Sequence, residues 1–231
     1  PTIYVPDSAL RNPLKLFFSM VNELSSARGL AWRIFIRNIS AQYRQTALGY
    51  FWAFFPPVAM ALVWVFLNSN KVLDLDNIEM PYPLYVFTGT LIWQVFVDAV
   101  NSPLRILSTS KVVLAKINLP REAFIVAGFL ETCFNFFIRL LILIPIMVYF
   151  KVSLKLGLIF FPLGVISLIL LGLVFGLIIS PLGLLYQDVE KSLPIITSIW
   201  FFITPVAYSL SGALNSNIFM KFNPVAPLII A

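Results

Sequence analysis

After Gly49 the sequence is dominated by five long apolar stretches separated by short charged breaks. Stretches of this length and number exceed what an ordinary soluble core absorbs. A bilayer core of ~30 Å takes about 20 apolar residues as helix, because each residue rises only ~1.5 Å. With 60% hydrophobic and 11% charged residues, the chain lies far from the soluble average of about 25% charged. The pattern predicts an all-α integral membrane protein.

The stretches run from about Tyr50 to Leu67, Leu84 to Leu107, Ala123 to Phe150, Leu156 to Leu185 and Leu193 to Leu210. Pro56-Pro57 removes two backbone donors from the first and predicts a kink there. Gly172 and Gly176 stand in a GxxxG spacing that reads as close helix packing. The sequence stops in Pro227-Leu228-Ile229-Ile230-Ala231, as if a sixth, truncated span were beginning. Two regions follow: residues 1–49 as a cytosolic tail with an interface helix, and 50–231 as a transmembrane domain.

Pro1 to Leu48 lacks the compact apolar run of a cleaved signal peptide. Pro1 to Arg28 reads as a polar tail with a short helix around Leu14–Leu24. Beyond it, at ~100° per residue, Arg33, Arg37, Ser40 and Arg44 share one sector, with Trp32, Phe35, Ile36, Ile39 and Tyr43 opposite. A basic amphipathic helix with aromatic residues on its apolar side belongs in the membrane interface.

Charge sets the expected orientation. With a cytosolic N-terminus, the inside segments carry Arg11, Lys15, Arg28, Arg33, Arg37, Arg44, Arg105, Lys111, Lys116, Arg121 and Lys191. The outside segments carry Lys71, Lys151, Lys155 and Lys221. This asymmetry favours the N-terminus inside. The excess of 16 Lys+Arg over 10 Asp+Glu flanks apolar spans rather than forming a solvated stripe, which argues for membrane lipids and against nucleic acid as the partner.

Catalytic chemistry is poorly supplied. The chain has no histidine and one cysteine, Cys133, within an apolar run, which removes disulfides and histidine-dependent triads and leaves no zinc-site pattern. No P-loop and no GxSxG motif appears. The cytosolic loops between spans offer only Glu122, Asp188 and Glu190, too far apart in sequence for a convincing enzyme site.

Polar residues inside the spans are the better candidates. Glu131, Asn135 and Arg139 recur at i, i+4 and i+8, so they share one helix face. Intramembrane charge is costly and faces protein or water. The three either line a translocation path or act as interhelical glue. Glu131 and Arg139 stand ~12 Å apart along the axis, so their direct pairing needs long side chains or Asn135 between them. Asp98 reads as a residue that snorkels to the interface. Trp52, Phe55 and Trp93 belong either to interfacial belts or to a path on which sugar rings stack.

Between the second and third spans, Leu107 to Glu122 reads LSTSKVVLAKINLPRE. Ser108 or Ser110 suits the cap of a short helix and Pro120 its end. Lys111 and Lys116 would project from this unit, which has the form of a knob for a soluble partner.

Several segments carry a resemblance. Arg44-Gln45-Thr46-Ala47-Leu48-Gly49-Tyr50-Phe51-Trp52-Ala53 with Pro56 resembles the entry to the first span in permeases of ATP-binding-cassette (ABC) polysaccharide exporters. Pro81-Tyr82-Pro83-Leu84-Tyr85-Val86-Phe87-Thr88-Gly89 with Trp93-Gln94 is similar to that family's second-span opening. Lys116-Ile117-Asn118-Leu119-Pro120-Arg121-Glu122 resembles the segment before its third span. Tyr186-Gln187-Asp188-Val189 resembles its Tyr-Arg-Asp-Val segment, with Gln187 replacing Arg. Pro205-Val206-Ala207-Tyr208 and Asn223-Pro224 are similar to its external region.

The resemblance implies a half-transporter in a bacterial cytoplasmic membrane. A second copy of the chain and two copies of an ATPase subunit would complete it, and lipid-linked polysaccharide would be the cargo. ATP and Mg would bind the partner ATPase, and this chain would hold no cofactor or metal. The interface helix would carry Trp32, Arg33, Arg37 and Arg44. Coupling to the ATPase would fall to Arg105, Ser110, Lys111, Lys116 and Arg121, the path to Trp52, Phe55, Trp93, Glu131, Asn135 and Arg139, and an external gate to Pro205 and Tyr208. Two other readings remain open: a permease for a small hydrophobic molecule, and a membrane-bound transferase or scaffold.

Overall fold

The structure, a computed structural model, describes residues 13–44, 51–52, 55–69, 81–116, 120–151, 161–204, 206 and 223–230. Seven helices occupy them: α1 Pro13–Arg44, α2 Phe55–Ser69, α3 Tyr82–Lys116, α4 Arg121–Tyr149, α5 Phe161–Leu185, α6 Gln187–Ile203 and α7 Ala226–Ile230. The protein is an all-α membrane protein. The segments Tyr82–Lys111, Glu122–Tyr149 and Phe161–Leu185 are long and apolar enough to cross a bilayer. Of the other two spans expected, α2 shows 15 residues and α6 17 among the described residues, at or below the short end of what crosses a ~30 Å core.

Proline marks where these helices begin. Pro56 and Pro57, Pro83, Pro162 and Pro227 all sit in the first turn of their helices, and Pro120 immediately precedes α4. The first four N–H groups of a helix have no internal acceptor, so proline forfeits nothing there. Pro56-Pro57 therefore starts α2 rather than kinking it, contrary to the sequence-based expectation. Pro103, Pro145, Pro181 and Pro194 do lie inside helices.

α4 ends where Phe150 and Lys151 donate their N–H groups to Ile146 and Val148, with Lys151 at φ 53° in the left-handed region. The break between α5 and α6 is the single extended residue Tyr186. Asp188 and Glu190 then occupy the first turn of α6, the end where the helix dipole favours negative charge.

α3 is the hub, packing on α2, α4, α5, α6 and α7, with its largest interface on α5. Small residues allow that approach. A Cβ on Gly172 would stand 2.6 Å from the Ala99 Cβ, and one on Gly176 2.9 Å from Pro103 Cδ. The GxxxG face is thus a close-packing surface within one protomer. Phe96, Val100, Leu104 and Leu168 fill the main core around it.

α1 packs chiefly on α4. Ala27, Ala31, Ile34, Phe35 and Ile39 are buried against Ile106, Ala123, Phe124 and Ala127. The short helix expected around Leu14–Leu24 and the amphipathic helix expected to carry Arg33 to Arg44 form one 32-residue helix, Pro13–Arg44. Only Gly29 opposes continuity, at about 1 kcal/mol, and burial of Ala27 and Ala31 on either side outweighs it.

Candidate functional site

Two ion pairs join α3 to α4. Arg105 Nη2 donates to Glu131 Oε2 at 2.8 Å, and Arg139 Nη1 lies 2.8 Å from Asp98 Oδ2. The register follows from the antiparallel arrangement. Moving from Asp98 to Arg105 along α3 matches moving from Arg139 back to Glu131 along α4, two helical turns in each case. Each helix contributes one acid and one base, so neither charge stays uncompensated. Asp98, expected to snorkel, is held by Arg139 instead.

Glu131 is 2% exposed and uses its other oxygen as well. Asn38 of α1 donates Nδ2 to Glu131 Oε1 at 2.7 Å. Arg37 in turn donates from Nε and Nη2 to Asn38 Oδ1, at 3.1 and 3.0 Å. An amide oriented with its oxygen to a cation and its nitrogen to a carboxylate satisfies both neighbours. Asn135 is buried on the same face of α4. Of the two readings open for Glu131 and Arg139, the contacts made inside the protomer are those of interhelical links.

α1 divides its apolar side. Phe35 and Ile39 turn into the protein, whereas Trp32 is 55% and Ile36 45% exposed beside exposed Arg33 and Arg37. Arg44 ends the helix, and its side chain lies outside the described residues.

The coupling segment differs from its expected form. α3 continues unbroken to Lys116, so neither Ser108 nor Ser110 caps a helix. Both sit mid-helix: Ser108 Oγ donates to Glu190 Oε2 at 3.4 Å, and Ser110 is buried. Lys111 Nζ donates to the Leu184 carbonyl at 3.4 Å, at the carboxyl end of α5 where the dipole favours a cation. A cleft of about 350 Å³ lies here, lined by Ser108, Lys111, Gly183, Gln187, Glu190 and Lys191 among others. Lys116 is exposed at the tip of α3, and Arg121 opens α4; the Arg121 side chain lies outside the described residues.

A second cleft, about 310 Å³, opens between α3 and α6. Its walls combine Trp93 and Phe201 with Thr90, Gln94, Asn101, Thr197 and Ser198. On α3 these residues lie about a quarter-turn from the ion-pair face. Behind them is an aromatic cluster in which Trp93, Phe96, Phe175, Trp200 and Phe201 meet at 5.2–6.4 Å between ring centroids. Of the path residues expected from sequence, Trp93 borders this cleft, and Glu131, Asn135 and Arg139 do not. Trp52 and Phe55 are exposed and pack on one another at 5.6 Å near the start of α2.

Pro205 and Tyr208 lie outside the described residues. The neighbouring Asn223 was missed as a structural residue. It accepts from Trp200 Nε1 and the Val225 N–H, both at 3.1 Å, and donates to Thr204 Oγ1 at 2.9 Å. The Asn-Pro dipeptide was the available signal, because such pairs initiate turns. Asn38 was missed too, since a lone asparagine on an amphipathic helix carries no sequence signature. Among the described residues no group of three or more Cys, Asp or Glu side chains could hold a metal ion.

No family model matches the chain. It is similar to the O-antigen export system permease protein RfbA of Myxococcus xanthus, at 25% identity over 213 residues, 91% of this chain and 81% of that protein. Two proteins of Klebsiella pneumoniae with the same description are 20% identical over 199 residues, 84% of this chain and 75% of theirs.

Proposed function

We infer that this chain, a relative of O-antigen export permeases, is the transmembrane subunit of an ABC exporter that moves a lipid-linked polysaccharide outward across the bacterial cytoplasmic membrane. The observation that carries this reading is the alignment of 91% of the chain with the Myxococcus xanthus permease, on a body made of membrane helices. It is a transport component rather than an enzyme. Two copies would form the path, and a separate ATPase would supply the energy from ATP and Mg.

The distribution of charge supports an N-terminus in the cytosol. Arg105, Lys111, Lys116 and Lys191 lie on the carboxyl-terminal part of α3 and the start of α6, and α1, which carries Arg28, Arg33 and Arg37, packs on Ala123, Phe124 and Ala127 near the start of α4. That end of the bundle is the side expected to face inward. The exposed Trp32 and Ile36 beside Arg33 and Arg37 support placing α1 in the interface. The tip of α3, with Lys111 and Lys116, is then available to the ATPase. The α3–α6 cleft offers what a sugar chain requires: aromatic faces for stacking, and hydroxyls and amides for its hydroxyl groups.

The test is co-purification of the full-length protein with its candidate ATPase, followed by ATP hydrolysis with and without lipid-linked polysaccharide. A two-plus-two complex whose hydrolysis responds to the glycan supports polymer export. A stable complex indifferent to glycan but stimulated by a small hydrophobic molecule transfers the assignment to that cargo. Failure to form any complex removes the ABC reading.

A further inference from the structure

Glu131 of α4 receives two other helices, α3 and α1, at one carboxylate. It stands on α4, takes Arg105 of α3 on Oε2 at 2.8 Å and Asn38 of α1 on Oε1 at 2.7 Å, and is 2% exposed. The two donors come from the segments that flank the membrane body at its basic end. Arg105 begins the part of α3 that ends at Lys116, and Asn38 lies on the interface helix.

The rest of the contact between α1 and the bundle is different in kind. Ala27, Ala31, Ile34, Phe35 and Ile39 meet Ile106, Ala123, Phe124 and Ala127. Apolar contact is nondirectional, and a face rich in alanine presents few knobs to resist sliding along the helix axis. A carboxylate shared between two donors with short hydrogen bonds does resist it, because displacement by a fraction of an ångström weakens both bonds. Arg37, bound to the Asn38 carbonyl oxygen, polarises and orients the amide that reaches Glu131. The chain of contacts thus runs Arg37, Asn38, Glu131, Arg105. Two turns deeper in the bundle, away from Lys116, Asp98 and Arg139 hold α3 to α4 a second time, so these two helices are fastened at two points.

We propose that Glu131 is a positioning residue that fastens the interface helix to the carboxyl-terminal part of α3, so that displacement of α3 by the ATPase carries α1 with it. This rests on the reading of the chain as an ATP-driven permease, and it adds a route through which the collar helix receives the stroke. Glu131 touches no cargo in this role. Its two bonds keep α1 in register while the apolar face holds it close.

The experiment uses the full-length chain in complex with its ATPase, with Asn38→Leu to cut the α1 arm and Arg105→Met to cut the α3 arm. Export and ATP hydrolysis are measured together. A spin-label pair at Ser40→Cys and Thr109→Cys, in a Cys133→Ala background, reports the distance between α1 and the carboxyl-terminal part of α3 with and without ATP. The expected result is export reduced at least ten-fold in each variant, hydrolysis within two-fold of wild type, and a double variant no worse than either single one. The label distance should be indifferent to ATP in wild type and should change with ATP in Asn38→Leu.

Normal export by Asn38→Leu and Arg105→Met overturns the proposal, as does hydrolysis falling in parallel with export. An unchanged label distance in Asn38→Leu overturns it too. Should Asn38→Leu fail to assemble, Asn38→Asp and Glu131→Gln decide by the same split, since both preserve side-chain shape. A wild-type complex that hydrolyses ATP and moves no glycan defeats the export reading alone; the label distance then still judges the link.

Discussion

Asp98 and Arg139 face each other at 2.8 Å between α3 and α4, with side chains only 23% and 8% exposed. Removing Arg139 takes from the Asp98 carboxylate the opposite charge that faces it. Arg139→Met is expected to destabilise the protein by ~3–5 kcal/mol. The double change Asp98→Leu with Arg139→Met should recover most of that loss. Denaturant titration of the purified single and double variants checks the difference, and equal losses in both would count against the pair.

The α3–α5 seam tolerates no added volume at its glycines. Gly172→Val and Gly176→Val are each expected to cost ~1–3 kcal/mol or more by forcing the helices apart. Gly164, on the same helix, has nothing within 4 Å of an added Cβ, so Gly164→Ala should hold or slightly raise the thermal midpoint, since alanine favours helix. Thermal unfolding of the three variants in one detergent is the measurement.

Neighbouring positions on α1 should behave in opposite ways. Ala31 is fully buried against α4, whereas Trp32 is 55% exposed. Ala31→Trp is expected to lower stability by ~1–3 kcal/mol. Trp32→Ala should leave unfolding unchanged in detergent and remove part of the fluorescence that brominated lipid quenches in vesicles.

Asn223 satisfies the Trp200 indole and the Val225 N–H with one oxygen. Asn223→Ala is expected to cost ~1–3 kcal/mol, the penalty for leaving buried donors unpaired. Hydrogen exchange should rise first around Thr204 and Val225, well before global unfolding.

On the export reading, Gln94 and Thr197 belong to the wall that meets the glycan. Gln94→Leu or Thr197→Val should raise the glycan concentration for half-maximal stimulation of hydrolysis roughly three- to ten-fold, the worth of one hydrogen bond. An unchanged dose response in both variants would remove the α3–α6 cleft from the path.

Much of this fold was legible because a bilayer imposes long apolar runs; the proline starts were not, since Pro56-Pro57 read as a kink and Pro120 as a helix end. The buried face of Glu131, Asn135 and Arg139 followed directly from their i, i+4, i+8 spacing. Their partners did not, because Arg105, Asp98 and Asn38 lie on other helices, and pairing across helices depends on a register that no local pattern encodes. Continuity was misjudged twice for one reason. Ser108 and Ser110 suggested a cap, and Pro1 to Arg28 read as a tail with its own short helix, yet packing against neighbours decided for continuous helix in both places. The α3–α6 cleft was invisible for a similar reason: Gln94, Asn101 and Thr197 are unremarkable individually and acquire meaning only when two helices bring them together.

The unbroken course of α3 has a mechanical meaning. Its 35 residues make a rod of about 52 Å at ~1.5 Å per residue, reaching from the tip at Lys116 to Tyr82 at the opposite end of the bundle. A force applied at one end of such a rod is felt as tilt at the other, without any loop in between to absorb it. Pro103 is the one joint, because its missing donor leaves the Ala99 carbonyl without its helical bond. Gly176 presses against that joint from α5, so the fulcrum of the rod is clamped at the point where it would bend most easily.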